Sequence, residues 1–439
     1  MENTQKVVTR FAPSPTGNLH SGSYRTAIFS YLFAKKHNGE FILRIEDTDK
    51  ERSKKEFEDN ILDSLQWLGI SYDSFYRQSE HIARHQQVLA QLIADGHAYI
   101  SKEEAKDGSG VIKEIVRFKN PGTDISFQDE IKGTVTMHTG DLGDFVIAKS
   151  ATEPLFHLAV VVDDFDEGVT HVIRGEDHVS NTPRQILIQR AIGAPTPIYA
   201  HIPLVLGLDK QKLSKRKGAL AMTEYRDLGY LPVALLNMVS MVGWNPGTPQ
   251  ELFDKVALIA EFDLAKVQKS PAVFNPEKLD WFNREYIKQL SSVEFWNYAE
   301  KYIAQDIKLE TLLRERITKF SDIKTMVDSG ELSWFFAEPD MKLENIVWKN
   351  LKNDTEGITK TKKYIATVVE NLEVVPEANW NKDSIKSAIW DFVEATGKGD
   401  VLWPMRLTLS GLDRSPDPFE LAEILGKEKT IARLQKVIS

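Results

Sequence analysis

The first 50 residues of the chain contain the pattern that most restricts its fold. An apolar run at residues 7–11 predicts a short buried strand, and a proline-rich turn follows at residues 13–17. Residues 24–36 then have the apolar spacing of a helix, which Asn38-Gly39 ends, and residues 41–45 predict a second strand. This order is typical of a doubly wound α/β sheet, whose ligands bind at the carboxyl ends of the strands.

The rest of the chain divides into a strand-rich part and a helical part. Further sheet strands are predicted at residues 158–162, 169–173 and 198–206. Residues 99–149 are hydrophilic with short strand signals, and we interpret them as an insertion that splits the sheet domain. Beyond about residue 220, helices dominate and are predicted at residues 232–242, 293–304, 309–317 and 361–372. We therefore expect an α/β domain with an inserted α+β domain, followed by a helical carboxyl-terminal half.

Composition restricts the compartment and the partners. The chain has 439 residues, with 55 basic and 64 acidic side chains and no cysteine, so disulfides and cysteine zinc sites are excluded. No apolar run approaches the roughly 20 residues of a membrane span, and we expect a cytoplasmic protein without a signal peptide or membrane partner. Because the net charge is −9, a nucleic-acid partner needs a local basic surface. Such a cluster is formed by Lys210, Lys212, Lys215, Arg216 and Lys217.

The turn between the first strand and the first helix has features of a phosphate site. Gly17 and Gly22 leave room for a phosphate to approach the backbone, and the start of the helix offers free N–H groups. His20 can donate a hydrogen bond to a phosphate oxygen. From this pattern alone, a nucleotide site and a proline-rich turn capped by Ser21 are about equally favoured.

A second basic segment, Lys212-Leu213-Ser214-Lys215-Arg216, could serve the same nucleotide. Lys212 and Lys215 would neutralise the charge that builds on a leaving pyrophosphate. Taken alone, such a run is more often a solvated charged surface.

Four polar residues are predicted at strand ends of one sheet, and these are Arg10, Ser14, Glu46 and Arg174. An amino acid with two carboxylates and one ammonium needs two cations and one anion in its pocket. Arginine suits carboxylates because its planar fork can donate two hydrogen bonds, and Glu46 can hold the ammonium. The competing interpretation is a surface salt bridge of Arg44 with Glu46 or Asp47. Position at the ligand-binding edge favours the pocket.

Acidic pairs in the chain raise the question of a metal site. Asp47 and Asp49 could bind magnesium, but we favour capping of the next helix for both. Asp163 and Asp164 are interpreted as an acidic turn that ends a strand. We expect no metal site in the protein, and magnesium to arrive with ATP.

Taken together, these segments resemble bacterial-type glutamyl-tRNA synthetases of class I through nearly the whole chain. The family's opening block is similar to RFAPSPTGNLHSGSYRTAIFSYLFAKKHNGEFILRIEDTD, in which HSGS occupies the place of the HIGH signature. The second signature, KMSKS, is similar to KLSKR. The second half of the sheet is similar to HLAVVVDDFDEGVTHVIRGEDHVSNTPRQ, and the tRNA-binding parts to KLDWFNREYI and PMRLTLSG.

The resemblance implies a domain plan and a set of ligands. The plan is a Rossmann-like catalytic domain at 1–76 and 154–218, an acceptor-end-binding insertion at 77–153, a stem-contact helical domain at 219–290 and a helical anticodon-binding region at 291–439. The ligands are ATP with Mg²⁺, L-glutamate and tRNA(Glu), and we expect a monomer.

The resemblance also implies roles for individual residues. Glutamate contacts fall on Arg10, Ala12, Ser14, Glu46, Phe156 and Arg174. ATP contacts fall on Pro13, Thr16, Gly17, His20, Gly22, Ser23 and Lys215, and catalytic roles on His20, Gly22, Lys212 and Lys215. Anticodon contacts fall on Arg406, Ser415 and Pro416.

Three departures from the family pattern qualify these roles. Phe156 stands where the family often has tyrosine, which removes a hydroxyl donor and about 1 kcal/mol of binding. Ser23 replaces the usual glycine or histidine, a change that a helix amino terminus tolerates. The insertion lacks the cysteines of zinc-binding relatives, so we expect no zinc.

Four alternatives stand beside a glutamyl-tRNA synthetase. One is a glutaminyl-tRNA synthetase, which is disfavoured because such enzymes carry β-barrels at the carboxyl-terminal end, whereas this end is predicted to be helical. An enzyme that also charges tRNA(Gln) is not separable by sequence, because that choice depends on how tRNA contacts are tuned in space. A glutamyl-queuosine tRNA synthetase lacks an anticodon module, and the helical carboxyl-terminal half argues against it. A non-catalytic tRNA-binding or nucleotide-sensing paralogue is expected to lose phosphate contacts, whereas His20, Lys212 and Lys215 are present.

Overall fold

The computed structural model describes residues 6–19, 21–104, 111–213, 220–340 and 342–439. The chain forms two compact units, Met1–Tyr286 and Ile287–Ser439. The first unit is α/β and the second is helical, as the sequence predicted. The finer division into four domains stays a prediction.

The first unit is built on a seven-stranded sheet in which six neighbouring strands run parallel. Numbered along the chain, the strands lie in the order β3 (Ser74–Arg77), β2 (Glu40–Ile45), β1 (Val8–Phe11), β10 (His171–Gly175), β11 (Ile198–Ile202), β6 (Asp124–Asp129) and β7 (Gly133–His138). Only β7 is antiparallel to its neighbour. The strand order reverses between β1 and β10, and doubly wound sheets bind ligands at such a point.

The predicted insertion contributes strands to two sheets. An antiparallel sheet contains, in order, β4 (Ala98–Glu104), β5 (Ile112–Phe118), β8 (Phe145–Ser150) and β9 (Glu153–Pro154). The hairpin of β6 and β7 instead extends the main sheet, because Asp129 pairs with Tyr199 on β11. A short parallel pair joins β12 (Val205–Leu206) to β13 (Ala272–Val273).

Helices cover the main sheet and complete the first unit. They are α1 (Ser21–Lys36), α2 (Lys55–Trp67), α3 (Ile82–Ala94), α4 (Phe156–Asp166), α5 (Thr182–Ala191), α6 (Met222–Asp227), α7 (Pro232–Met241), α8 (Lys255–Glu261) and α9 (Pro276–Gln289). Helix α1 buries Ala27, Ile28 and Leu32 completely, as its apolar spacing predicted. Glycine is required at position 39 after α1, because a Cβ there would lie 2.2 Å from the carbonyl oxygen of Val7.

The prediction of a strand at residues 158–162 is wrong, because these residues lie within α4. Every side chain from Leu158 to Val162 is buried. A helix that is apolar on all sides gives no contrast between faces, and three consecutive valines favour a strand by propensity. The sequence pattern could not distinguish a buried helix from a buried strand. The sheet distinguishes them, because β1 pairs directly with β10 and no strand from residues 158–162 lies between them.

The second unit consists of helices throughout its described residues. They are α10 (Ser292–Ala299), α11 (Ile307–Arg316), α12 (Ser321–Asp328), α13 (Ser333–Phe336), α14 (Leu343–Ile346), α15 (Gly357–Glu373), α16 (Lys382–Thr396), α17 (Lys398–Ser410), α18 (Pro418–Leu425) and α19 (Lys427–Ile438). The predicted helices at 293–304, 309–317 and 361–372 are confirmed as α10, α11 and α15, although α10 ends at Ala299. Across the described ranges of both units, none of the helices has the length and apolarity needed to cross a membrane.

Candidate active site

A cleft of about 400 Å³ opens at the carboxyl ends of the central parallel strands. Its walls include the last residues of β1 and β10, the residue after β2, and the end of β11. The cleft brings together ten residues that the sequence singled out. They are Arg10, Ala12, Pro13, Ser14, Gly22, Ser23, Glu46, Phe156, Arg174 and Lys212.

Two other predicted residues, Thr16 and Gly17, are described but are not part of this lining. Both lie on the turn before α1. His20 and Lys215 lie outside the described residues. The meeting of the two signature segments over one nucleotide therefore stays a prediction.

Three backbone hydrogen bonds fix the turn between β1 and α1. The Thr16 N–H donates to the Ser14 carbonyl at 2.9 Å, and the Glu46 N–H donates to the Pro13 carbonyl at 3.0 Å. The Lys54 N–H donates to the Pro15 carbonyl at 3.0 Å. A Cβ placed on Gly17 would meet no atom of the described residues within 4 Å, so these residues leave space beside this glycine. The turn is thereby attached to the end of β2, next to Glu46.

Behind the cleft, a buried network of charges fixes Arg10 and Glu46. Arg10 Nε donates to Asp164 Oδ1 at 3.1 Å, and Arg44 Nη2 donates to the same oxygen at 2.8 Å. Arg44 also donates to Glu46 at 3.3 Å and to Glu167 at 2.6 Å. The competing interpretation of a surface salt bridge is wrong, because Arg44 is fully buried and its ion pair with Glu46 is not at the surface. The pair instead supports the cleft from within.

Asp163 and Asp164 form no acidic turn, contrary to the sequence interpretation. Both lie on α4 and are buried. Asp163 binds His85 through Oδ1 at 2.5 Å and Gln78 through Oδ2 at 2.8 Å. Burial would raise the pKa of Asp164, but its contacts with Arg10 and Arg44 hold that pKa below the usual value.

Glu46 is the only carboxylate among the four polar residues predicted at strand ends, and its side chain lines the cleft. Its side chain is 7% exposed. Burial raises the pKa of its carboxyl, whereas the charges of Arg44 and Arg10 oppose that rise. A cation that enters the cleft would stabilise the ionised form, which is the role expected for an ammonium partner.

Arg174 presents one edge of its guanidinium to the cleft. Nε donates to His201 Nε2 at 3.1 Å, and Nη2 donates to Thr182 Oγ1 at 2.8 Å. The Tyr199 ring lies below the guanidinium, 5.4 Å from ring centroid to Cζ. Burial lowers the pKa of Arg174 to about 10, which leaves it charged at neutral pH. Among the described residues, Nη1 has no hydrogen-bond partner and is available for a carboxylate.

His178 lies in the aromatic wall of the cleft and was missed by sequence reasoning. It packs beside Phe156, which was predicted. Phe156 is the first residue of α4 and is 38% exposed. Its ring centroid lies 5.8 Å from that of His178, which also lines the cleft. Asn181 Nδ2 lies 3.2 Å from His178 Nδ1. Burial lowers the pKa of His178 to about 4, so the ring is neutral at neutral pH.

Arg25 is a second residue of the cleft that sequence reasoning missed. Its Nη1 donates to the Pro203 carbonyl at 2.6 Å, while Nε and Nη2 are buried without a partner in the described structure. Burial lowers the pKa of Arg25 to about 10. A signal was present in the sequence, because Arg25 follows Tyr24 on the apolar stripe of the predicted helix. A charge on such a stripe indicates a special environment.

Lys212 stands at the rim of the cleft. Its Nζ lies 3.4 Å from Asp177 Oδ2, and both side chains are more than half exposed. The next residue is anchored, since the Leu213 N–H donates to the Val205 carbonyl at 2.9 Å. Exposed pairs of this kind contribute little, so Lys212 can exchange Asp177 for a phosphate at small cost.

The acidic residues after β2 are used for local structure. Asp47 accepts hydrogen bonds from the Ser79 N–H at 2.8 Å and from Ser79 Oγ at 2.6 Å. Asp49 binds Arg52. The prediction that Asp47 and Asp49 cap the next helix is wrong, because the N-cap of α2 is Lys54 and Asp47 bonds a 3₁₀ helix at Gln78–His81. No group of three potential metal ligands occurs in the described ranges.

Comparison with known proteins agrees with this geometry. The family of class I tRNA synthetases (E and Q), catalytic domain, matches residues 6–107 and 100–281, and the anticodon binding domain family matches residues 265–438. A glutamate–tRNA ligase from Francisella tularensis subsp. novicida is 38% identical over 469 residues, covering 98% of this chain and 99% of the relative. One from Aquifex aeolicus is 39% identical and covers 99% of each chain. A crystal structure of a glutamate tRNA ligase from Elizabethkingia meningosepticum in complex with its amino acid has a TM-score of 0.85, 32% identity and 99% coverage of both chains.

The chain belongs to the glutamate–tRNA ligase family. Class I tRNA synthetases of this kind use ATP with Mg²⁺. The match to an anticodon binding domain also argues against the queuosine-type alternative, which lacks such a module.

As a member of the glutamate–tRNA ligase family, the chain has its predicted anticodon residues at one corner of the second unit. Arg406 lies on α17, and its Nη2 donates to the Asp413 carbonyl at 2.9 Å. The Arg406 guanidinium covers the Trp403 ring at 4.8 Å. Ser415 and Pro416 follow in the loop before α18, where Ser415 Oγ donates to the Pro416 carbonyl at 3.2 Å. The structure thus places the three residues on two neighbouring segments, and their role in anticodon binding stays a prediction.

Proposed function

We propose that this chain activates L-glutamate with ATP and transfers the glutamyl group to the 3′ end of tRNA(Glu). The observation that carries the proposal is the charge pattern of the cleft, in which Arg10 and Arg174 face a substrate volume together with Glu46. Glutamate has two carboxylates and one ammonium, so two guanidinium groups and one carboxylate complement all its charges. The alternative of charging tRNA(Gln) has no observation in its favour.

The first step of the proposed reaction is an in-line displacement at phosphorus. An oxygen of the substrate α-carboxylate forms a bond to the α-phosphorus of ATP, and the bond from that phosphorus to pyrophosphate breaks. Arg10 and Arg174 hold the carboxylates, and Glu46 holds the ammonium, so that the attacking oxygen is oriented before reaction. Lys212, with Lys215 and His20 from the sequence assignment, stabilises charge on the departing pyrophosphate. ATP enters with Mg²⁺ as a substrate complex.

The second step transfers the glutamyl group. A terminal ribose hydroxyl of the tRNA attacks the carbonyl carbon of glutamyl-adenylate, and AMP leaves with the bonding electron pair. The hydroxyl proton passes to the departing phosphate or to solvent. No covalent intermediate with the protein is required, so catalysis rests on orientation and on charge stabilisation. Gly22 and Ser23, at the start of α1, give the nucleotide access to backbone N–H groups.

A charging assay tests the proposed function. Purified protein is incubated with ATP, Mg²⁺ and tRNA(Glu), and attachment of labelled glutamate, glutamine or aspartate is measured. We expect attachment of glutamate alone, and strong loss in Lys215→Ala. Absence of charging with any tRNA would favour a non-catalytic paralogue, and full activity of Lys215→Ala would remove that lysine from the site.

Phe156→Tyr is expected to strengthen glutamate binding. The added hydroxyl can donate one hydrogen bond in the cleft, and a net gain of about 1 kcal/mol corresponds to roughly a fivefold lower KM for glutamate. The measurement is the KM for glutamate at saturating ATP and tRNA. Phe165→Tyr is the matched control, because Phe165 is 40% exposed on α4 and is not part of the cleft wall. An unchanged KM in Phe156→Tyr would show that the ring edge does not face glutamate.

A further inference from the structure

A chain of buried hydrogen bonds continues from Arg174 across two neighbouring strands of the sheet. Arg174 Nε donates to His201 Nε2 at 3.1 Å. On the opposite edge of the imidazole, His201 Nδ1 lies 2.6 Å from Asp129 Oδ2. The side chains of His201 and Asp129 are fully buried. Three strands thus contribute one residue each, because β10 carries Arg174, β11 carries His201 and β6 carries Asp129.

The partners of His201 fix its tautomer. An arginine Nε can only donate, so Nε2 of the imidazole must accept and carries no proton. Asp129 can only accept when ionised, so Nδ1 must carry the proton and donate it. Burial would raise the pKa of Asp129, but the bonds from His201 and from backbone N–H groups hold it below its usual value. Asp129 therefore stays ionised and keeps His201 in the Nδ1–H form.

The rest of the environment makes Arg174 dependent on this acceptor. Thr182 Oγ1, the only other described hydrogen-bond acceptor of Arg174, lies 3.2 Å from the His178 carbonyl and 3.1 Å from His201 Nε2, and its proton can be donated to either of these acceptors. The Tyr199 ring lies 11° from parallel to the His201 ring, at a centroid distance of 5.8 Å. The imidazole therefore has little freedom to turn, and Nε2 stays directed at Arg174.

We propose that Asp129 and His201 are positioning residues that hold the Arg174 guanidinium in the orientation that binds a carboxylate of glutamate. This inference rests on the proposed function, in which Arg174 contacts glutamate. Neither residue lines the cleft, so neither is expected to touch the substrate. Asp129 lies in the segment predicted as an insertion, which makes part of that segment necessary for amino-acid binding.

Asp129→Asn is expected to reverse the tautomer without removing bulk. Asp129 Oδ1 accepts from the Ile131 N–H at 3.0 Å and the Lys132 N–H at 2.8 Å, so the amide oxygen of asparagine stays there. The amide NH₂ then faces His201 Nδ1 and also the His201 backbone N–H, which lies 3.0 Å from Oδ2 and 3.3 Å from Oδ1 and keeps Oδ1 as its acceptor. The imidazole proton moves to Nε2, so that Nε2 and Arg174 Nε both carry protons. We expect the KM for glutamate to rise about 10- to 100-fold, because a buried donor loses its acceptor. The kcat and the KM for ATP should stay within about twofold.

The same hairpin offers a matched control. His138 Nδ1 lies 2.6 Å from Asp124 Oδ1, so β6 and β7 carry a second histidine–aspartate pair with the same bond length. This pair is exposed and has no arginine partner among the described residues. Asp124→Asn should therefore leave the KM for glutamate within twofold. An equal effect of Asp124→Asn and Asp129→Asn would assign the change to the hairpin as a whole and overturn the proposal.

Acidification provides a readout that a merely structural role would not move. Burial lowers the pKa of His201, and the Arg174 charge lowers it further, while Asp129 opposes both. The ring is thus neutral at neutral pH, and protonation at lower pH removes the acceptor, so the KM for glutamate should rise as the pH falls. The titratable groups that face His201 are Asp129, Lys132, Arg174, His178 and Tyr199. In His201→Gln the amide oxygen accepts a hydrogen bond at any pH. A plot of log KM for glutamate against pH should therefore be less steep on the acid side, by about one unit of slope, than it is for wild type. The slope that remains comes from titration of Glu46 and of the substrate itself.

A ligand-free measurement separates this inference from the proposed function. Nitrogen-15 NMR of histidine-labelled enzyme should show His201 as the Nδ1–H tautomer, assigned by its absence in His201→Gln. An Nε2–H or doubly protonated ring at neutral pH overturns the inference even if glutamate is charged. If the tautomer is as expected but Arg174→Ala charges normally, the proposed function of Arg174 fails instead.

Discussion

Arg174→Ala is expected to lower kcat/KM for glutamate by roughly 100- to 1,000-fold, while the KM for ATP stays within about twofold. The guanidinium is buried, charged and open only along the edge that faces the cleft. Removing the guanidinium leaves a carboxylate of bound glutamate out of contact with water and without a cation. Truncating one partner of a buried ion pair costs about 2–5 kcal/mol of binding free energy. The measurement is steady-state aminoacylation with glutamate varied at saturating ATP and tRNA.

A surface arginine controls for the loss of positive charge. Arg190 is exposed at the end of α5, on the helix that follows Arg174 in the chain. Arg190→Ala removes the same charge and should leave kcat/KM within twofold. Arg174→Lys should recover little activity, because a lysine cannot donate along two parallel directions. Near-normal charging by Arg174→Ala would contradict the assignment of this arginine to the substrate.

Arg44→Met is expected to reduce the free energy of unfolding by about 3–5 kcal/mol. Arg44 is fully buried and lies within 4 Å of four carboxylates, from Glu46, Asp163, Asp164 and Glu167. Methionine replaces the aliphatic part of the side chain but leaves those carboxylates without their shared cation. The measurement is urea-induced unfolding followed by circular dichroism at pH 8.

The pH dependence of this loss gives a second test. Arg44 and Arg10 hold the pKa of Asp164 below its usual value, so its stabilising contribution is present above the unfolded pKa near 3.8 and is lost as the pH falls through the lower folded value. Without Arg44 the buried carboxylates protonate more readily. The difference in the free energy of unfolding between Arg44→Met and wild type should therefore become smaller as the pH is lowered from 8 to 5. Arg84→Met is the control, since Arg84 pairs with Asp166 on α4 but is 40% exposed. It should cost less than about 1 kcal/mol.

Much of the site could be predicted from the sequence because its residues follow strand ends. Arg10, Glu46 and Arg174 lie at or next to the carboxyl ends of β1, β2 and β10, and parallel strands bring such ends to one edge. The prediction needed only local patterns and one topological rule. Three helices of the second unit, α10, α11 and α15, were also predicted from their one-sided apolar stripes, with ends that differ from the structure by up to about five residues.

The supporting network could not be predicted, because its contacts join residues distant in the chain. Arg10 and Asp164 are 154 positions apart, and His201 and Asp129 are 72 apart. Sequence spacing carries no information on such pairs, and the buried charges of α4 were hidden in a segment that resembles a strand. The residues that support the cleft from behind were therefore missed, whereas many residues of its wall were predicted.

The pairing of β6 with β11 has a consequence for protein engineering. Because Asp129 at the end of β6 bonds both the backbone and the imidazole of His201, the predicted boundary of the inserted segment does not coincide with the boundary of the proposed amino-acid pocket. A chimaera that exchanges residues 77–153 for the corresponding segment of another synthetase would transplant one support of the pocket along with the segment. On the proposed role of Asp129, we expect such an exchange to preserve glutamate affinity only if the donor sequence supplies an aspartate in the same register.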